Sequence, residues 1–305
     1  MKDGQITVSK TTITGKEELE GAQLEVRDES NNVVDSWTST HVPHYVSGLK
    51  EGQAYTLIET TAPDGYAKAE SITFTVSNEN KTVVMKDAEI IINKVDEETE
   101  EPVLDAQFSV FDMEGNLIDQ CITDGKAHAV SHLEAGKEYI LKETKTPRGY
   151  QTVTDTAFTV SGEEDLFLEI KEKPILVNIQ VNKVDVKTKQ LIKDKDFEFT
   201  LYKDPDCIYS MVAASSKDGS ATFKDLRYGT YYIKETKAPF GYHLSTEVKK
   251  VVIDENVKGD TYTFDYENTP IEIVQTGDPT NLLMIIGLGL VSMISIIFIL
   301  IKKES

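Results

Sequence analysis

Three glutamates, Glu59, Glu143 and Glu235, recur in one setting: "YTLIETTAPDGY" (55–66), "YILKETKTPRGY" (139–150) and "YYIKETKAPFGY" (231–242). In a β-strand, side chains two apart share a face, so Tyr139, Leu141 and Glu143 point the same way. Two of the three are apolar, which aims that face, carboxylate included, at a core. Lysines behave alike. Ile6, Val8 and Lys10 alternate in "QITVSK", Ile90, Ile92 and Lys94 in "EIIINK", and Ile179, Val181 and Lys183 in "NIQVNK". Each lysine precedes its glutamate by 49, 49 and 52 residues, respectively. A third polar group closes the last apolar stripe of each repeat: Asp87 after Val83 and Met85, Glu172 after Leu168 and Ile170, Asn268 after Phe264 and Tyr266.

Burying unpaired charges costs several kcal/mol per ion, so each trio demands an explanation. One is a buried ion pair or hydrogen-bond network inside a plain sandwich. The other is chemistry. A desolvated lysine loses its proton and becomes a nucleophilic amine. A buried glutamate has a raised pKa, carries a proton at neutral pH and can polarise a neighbouring carboxyl or amide carbonyl. Attack of the amine, with the glutamate moving protons, expels water or ammonia and leaves an isopeptide bond between first and last strands. Fixed contact between the reactants supplies much of the rate.

The elements that must hold these groups are short alternating runs separated by Gly, Asn, Asp and Pro, which predict antiparallel strands in sandwiches. "APDG", "TPRG" and "APFG" after each glutamate read as turns, with Pro fixing φ and Gly supplying the permissive position. The glutamates lie 84 and 92 residues apart, a period of repeated domains. The expected organisation is all-β. Three tandem antiparallel sandwiches of Ig-like type occupy 1–88, 89–173 and 174–270, with a linker at 271–281, one transmembrane helix at 282–301 and a basic tail at 302–305. No Gly/Ser linker separates the repeats, which predicts stiff junctions.

The net charge of −20 argues against nucleic acid and against charge-driven binding to an anionic membrane surface. Cys121 and Cys207 fall in different repeats, so no intradomain disulfide is expected. "LLMIIGLGLVSMISIIFILI" holds 20 residues without a charge, roughly 30 Å as a helix, enough to cross a bilayer. Lys302 and Lys303 place its end in the cytoplasm and the repeats outside. The N-terminus "MKDGQITVSK" shows no secretion signal, so the expectation is a longer natural chain.

A lysine in the first strand, the pattern Y-x-L/I-x-E-T-x-A/T-P-x-G-Y, and an Asn or Asp ending the last strand resemble the Cna B-type domains. These prealbumin-like sandwiches, also called SpaA-type pilin domains, belong to Gram-positive surface proteins. The resemblance covers about 1–270 and implies self-formed isopeptide bonds Lys10–Asp87, catalysed by Glu59, and Lys183–Asn268, catalysed by Glu235. Repeat two departs from the pattern, because Glu172 stands where the family has Asn or Asp. One extra methylene would misplace the carbonyl, so Lys94, Glu143 and Glu172 are expected to form a degenerate, uncrosslinked cluster.

"IEIVQTGDPTN", followed by the apolar span and basic tail, resembles a sortase sorting signal. The family motif is Leu-Pro-x-Thr-Gly; Thr276 and Gly277 match and the Pro is absent. The resemblance implies sortase cleavage between Thr276 and Gly277 and transfer of Thr276 to a peptidoglycan or pilin amine. No glycine-rich phosphate loop and no Ser/His/Asp arrangement is legible, so no enzyme acting on an external substrate, no metal and no cofactor are expected. The leading expectation is a cell-wall-anchored stalk or minor pilin. The alternative is an adhesin in which one repeat binds a host or matrix ligand. A polymerising shaft is disfavoured, since no Tyr-Pro-Lys pilin motif is present. His128 and His132 lie four apart, but in a strand-and-turn region unsuited to a helical metal site. Trp37 and Tyr45 are expected in core or interstrand positions.

Overall fold

A computed structural model of the chain describes residues 5–272. The apolar span, Thr276, Gly277 and the basic tail lie outside the described residues. Among the described residues every regular element is a strand, and no helix is long and apolar enough to cross a membrane.

The first sandwich contains β1 (Ile6–Thr12), β2 (Gln23–Asp28), β3 (Val33–Thr38), β4 (His44–Val46), β5 (Ala54–Thr61), β6 (Ile72–Thr75) and β7 (Lys81–Asp87). Its sheets run β4-β1-β7 and β3-β2-β5-β6. The second contains β8 (Ile90–Asp96), β9 (Leu104–Asp112), β10 (Leu117–Asp124), β11 (His128–Ala129), β12 (Glu138–Lys145), β13 (Thr156–Thr159) and β14 (Leu166–Glu172). Its sheets run β11-β8-β14 and β10-β9-β12-β13. The third contains β15 (Val177–Asp185), β16 (Phe197–Tyr202), β17 (Ser210–Ser216), β18 (Ser220–Leu226), β19 (Gly229–Lys237), β20 (Val248–Ile253) and β21 (Thr261–Asn268). Its sheets run β18-β15-β21 and β17-β16-β19-β20. The first two sandwiches lie in one compact unit and the bulk of the third in another.

Alternation along the strands builds each core. In β7, Val83, Met85 and Asp87 are buried while Val84 and Lys86 are exposed. Ile6 and Val8 from one sheet meet Leu24, Val26, Tyr55 and Leu57 from the other. In the second sandwich Ile90 and Ile92 meet Phe108, Val110, Tyr139 and Leu141 in the same way.

Most pairs are antiparallel, as the alternation suggests, but the first and last strands of every sandwich run parallel. Alternation reports which face a residue takes and carries no information on the direction of its neighbour. Between the first two sandwiches, Lys68 N donates to Leu133 O at 2.7 Å and Ala135 N to Lys68 O at 2.8 Å. The Lys68 ammonium adds an ion pair with Glu134 at 3.0 Å. The junction is thus held by backbone pairing.

Candidate functional site

The parallel pairing brings each lysine to its acceptor. Lys10 lies opposite Met85 and Asp87 opposite Thr12. Lys94 lies opposite Ile170 and Glu172 opposite Asp96. Lys183 lies opposite Tyr266 and Asn268 opposite Asp185. The acceptor is therefore two residues beyond the lysine's partner in all three sandwiches. Two residues along a strand are about 6.6 Å, and the strands are about 4.8 Å apart. A long lysine side chain spans that diagonal, and the shared period keeps both groups on the inner face.

The glutamate comes from the opposite sheet. Glu59 on β5 pairs with Leu24, Glu143 on β12 with Phe108, and Glu235 on β19 with Phe199. Each reaches across the core to its lysine. Lys10 Nζ to Glu59 Oε1 is 2.9 Å, Lys94 Nζ to Glu143 Oε1 is 2.8 Å, and Lys183 Nζ to Glu235 Oε1 is 2.6 Å. Each lysine also contacts its acceptor: Asp87 Oδ1, Glu172 Oε1 and Asn268 Oδ1. The side chains of all three lysines, the three glutamates, Asp87 and Glu172 are at most 2% exposed, and Asn268 is equally buried. The sequence-derived trios are thus assembled in the dry interior of each sandwich.

A backbone N–H ten residues on fixes each glutamate. Ala69 N and Ser245 N donate to Glu59 Oε2 and Glu235 Oε2 at 2.7 Å, and Val153 N to Glu143 Oε2 at 3.1 Å. The Pro-x-Gly-Tyr turn makes this possible. Tyr66 N, Tyr150 N and Tyr242 N close onto the Pro63, Pro147 and Pro239 carbonyls, while Gly65, Gly149 and Gly241 take φ of 84°, 88° and 84°. That is left-handed backbone, which glycine adopts without a Cβ clash. The repeated turn therefore reverses the chain so that its return leg anchors the carboxylate. The sequence marks the turn but not the N–H it delivers.

In the third sandwich Asn268 Nδ2 donates to Glu235 Oε1 at 2.9 Å, to Oε2 at 3.0 Å and to the His243 carbonyl at 3.0 Å. One oxygen, Glu235 Oε1, is thus within hydrogen-bond reach of both the amine and the amide nitrogen. The Lys183 ammonium lies 4.8 Å from the Phe199 ring centroid and 4.4 Å from that of Tyr266. Burial pulls Lys183 down to about 8, against the opposing pull of Glu235. Sequence reasoning missed the Tyr266 and Phe199 rings as neighbours of the amine, although both lie on inward-facing strand positions.

Burial raises Asp87 to about 7, partly opposed by Lys10, and raises Glu172 to about 7, partly opposed by Lys94. Burial also pushes Glu143 up, but the Lys94 ammonium, Glu172 and the Val153 N–H outweigh it and hold Glu143 below the usual range. The sequence expectation put the raised pKa on the glutamate of the repeated motif. In the second sandwich it belongs to the acceptor, because Glu143, besides sharing Lys94 with Glu172, accepts from the Thr146 hydroxyl and the Val153 N–H.

The weaker candidates fall outside any site. His128 Nε2 faces Asp119 Oδ2 at 3.1 Å, and His132 sits at φ 65° in a turn. Among the described residues no three His, Cys, Asp or Glu side chains converge as metal ligands. Trp37 packs against the first core and stacks on His44 at 4.0 Å. Tyr45 pairs with Thr7 across β4 and β1, but its side chain is exposed rather than in the core. Both cysteines are free.

Comparison with known proteins agrees with this architecture. Residues 4–89, 88–174 and 177–270 each match the family described as "SpaA: Prealbumin-like fold domain". The chain is 30% identical over 81 residues to the trypsin-resistant surface T6 protein of Streptococcus pyogenes serotype M6, covering 27% of this chain and 15% of that protein. Among solved structures, the Bacillus anthracis TIE protein is 26% identical with a TM-score of 0.47, covering 88% of this chain and 51% of that one. A streptococcal ancillary pilin is 18% identical with a TM-score of 0.29, covering 89% of this chain and 100% of that one. The chain spans only part of the length of the first two. With three matches that together take in nearly all of the described residues, the chain belongs to the SpaA prealbumin-like domain family.

Proposed function

We propose that the chain is a cell-wall-anchored stalk or minor pilin subunit of a Gram-positive surface, with its first and third sandwiches locked by autocatalytic amide bonds. The bonds are Lys10 Nζ to Asp87 Cγ and Lys183 Nζ to Asn268 Cγ. The observation that carries the reading is Glu235 Oε1, which touches both the attacking amine and the departing nitrogen. Lys183 Nζ attacks the Asn268 carbonyl carbon, and Glu235 takes the amine proton and returns it to Nδ2. The C–N bond to Nδ2 breaks, and ammonia leaves. In the first sandwich Glu59 does the same for Lys10, and Asp87 loses one carboxyl oxygen as water. Surface display is supported by the family and by the name of the T6 relative. The sorting step assigns sortase cleavage to Thr276–Gly277 and a wall or pilin amine as acceptor.

The intact mass of the full chain, purified in detergent, tests the bonds. A deficit including one ammonia and one water is expected. Lys183→Arg should restore the ammonia and Lys10→Arg the water. A chain of unmodified mass would sink the reading and leave sandwiches with buried ion clusters.

Bond formation should rise with pH more steeply in the third sandwich than in the first, where the loss of neutral Asp87 offsets the gain in unprotonated Lys10. Lys183 is nucleophilic only when unprotonated, so below about 8 the rate in the third sandwich should rise up to about tenfold per pH unit. Asp87 must be the neutral acid to leave as water, so its contribution falls as pH rises through about 7. Chain recovered unfolded from inclusion bodies can be refolded by dilution across pH 6 to 9 and sampled by mass. The ratio of Lys183–Asn268 to Lys10–Asp87 linkage at early times should increase with pH; a ratio that falls would contradict these assignments.

A further inference from the structure

The geometry points to a third crosslink: Lys94 Nζ joined to Glu172 Cδ, a lysine–glutamate amide in the second sandwich. This inference rests on the reading above. The extra methylene of Glu172 is what made an unbonded cluster the expectation from sequence. Three observations show that the fold absorbs it.

The first is register. Glu172 occupies the same position relative to Lys94 as Asp87 does to Lys10, two residues beyond the lysine's partner on a parallel strand. The longer side chain still places Oε1 against Lys94 Nζ, and Glu143 remains 2.8 Å from that amine. The corresponding lysine–glutamate distance in the first sandwich is 2.9 Å, so the extra methylene has not displaced the base. The second is space. A cavity of about 10 Å³ borders Lys94, Glu143 and Ile170, and volume of that order is about what a single water needs. The second sandwich therefore has a small space beside the attacking amine and the base, of the size the released water would take. The third is the unpaired oxygen. Glu172 Oε2 is buried without a hydrogen-bond partner, as is Asp87 Oδ2 in the first sandwich. This is the oxygen that the condensation removes.

The protonation states divide the roles. Burial favours the neutral acid of Glu172, the form whose carbon accepts an amine, while Glu143 is held ionised and acts as base. Glu143 takes a proton from the Lys94 ammonium, and the freed amine attacks Glu172 Cδ. Glu143 passes that proton to the departing oxygen, the Cδ–O bond breaks and water leaves, and Glu143 takes the remaining surplus proton from nitrogen and ends neutral. One amine and one carboxylic acid become one amide and one water. The reaction also removes a buried cation and an acid from a dry core and replaces them with a neutral amide.

The test is peptide mapping of the full chain in detergent after complete proteolysis, beside Lys94→Arg and Glu143→Gln. The expected result is a joined peptide containing Lys94 and Glu172, and an intact mass short by two waters and one ammonia. Each variant should restore one water and abolish only that joined peptide. If Lys10–Asp87 and Lys183–Asn268 are joined but the Lys94 and Glu172 peptides are recovered separately, this inference is overturned and the proposed function stands. If no joined peptide is found, both fall. The wild-type map decides even where a variant does not fold.

Discussion

Glu235→Ala is expected to leave the third sandwich unlinked and to lower its melting temperature by more than about 20 °C. Two losses combine. Without the proton shuttle no bond forms between Lys183 and Asn268, which are 85 residues apart. On the loop-entropy treatment of a crosslink, closing a loop of that size is worth about 4–5 kcal/mol. Lys183, whose side chain is 0% exposed, also loses its carboxylate partner. Breaking a buried pair in this way costs about 3–5 kcal/mol, because the remaining charge is uncompensated. Together these approach the whole stability of a typical domain, about 5–15 kcal/mol. For a domain of this size, each kcal/mol moves the midpoint by about 4–8 °C.

Two further variants separate the losses. Glu235→Gln keeps the shape and can still accept from Ser245 N, but it cannot carry the proton. It should lose the bond with less disruption. Adding Lys183→Met to Glu235→Ala removes the stranded charge and should recover part of the fall without recovering the crosslink. Calorimetry of the full chain reads all three, with the first sandwich's transition as an internal reference. A Glu235→Gln chain that retained both the ammonia deficit and the wild-type transition would remove Glu235 from the mechanism.

What the sequence reveals about this site depends on which physical signal each part leaves. Lys10, Lys94 and Lys183, with Glu59, Glu143 and Glu235, are legible because a charge ending an apolar period-two stripe conflicts with burial, and the conflict recurs three times. The acceptors are legible for the same reason. Strand direction is not. β1 and β7 would show the same alternation whether parallel or antiparallel, yet only the parallel register places Asp87 diagonally from Lys10. The anchoring N–H groups of Ala69, Val153 and Ser245 leave no trace either, since a backbone donor is common to every residue but proline. Only the Pro-x-Gly-Tyr turn that delivers them is visible. The assignment of protons was legible in part. Burial raises carboxyl pKa values, as the pattern predicts, but Glu143 and Glu172 share one lysine. Which of them ionises depends on donors that only the fold supplies: Glu143 alone also accepts from the Thr146 hydroxyl and the Val153 N–H. Tyr45 shows the limit of pattern reading at an edge: β4 is three residues long, too short for alternation to identify its outer face.

Pulling the full chain from its two ends is expected to show no unfolding extension from the first and third sandwiches. The parallel pairing decides this. Force enters the first sandwich at the start of β1 and leaves at the end of β7, shearing a ladder of seven paired residues. With Lys10 joined to Asp87, load crosses the amide, and the segment between these residues, which are 77 positions apart, is shielded. Its release would add roughly 270 Å of contour length, at about 3.5 Å per residue. In single-molecule extension, Lys10→Arg should therefore add one event of that size, and Lys183→Arg should add one of roughly 300 Å, since Lys183 and Asn268 are 85 positions apart. Hydrogen bonds alone cannot produce this all-or-none difference, because a sheared ladder yields at some load and then releases its whole loop. The second sandwich gives the same experiment a third reading. Lys94 and Glu172 are 78 positions apart, so an unbonded cluster there predicts one event of roughly 270 Å in the wild-type chain, and a lysine–glutamate bond predicts none. A wild-type trace with events from all three sandwiches would show that the buried lysines are held by charge alone, and a stalk so built would lengthen under load.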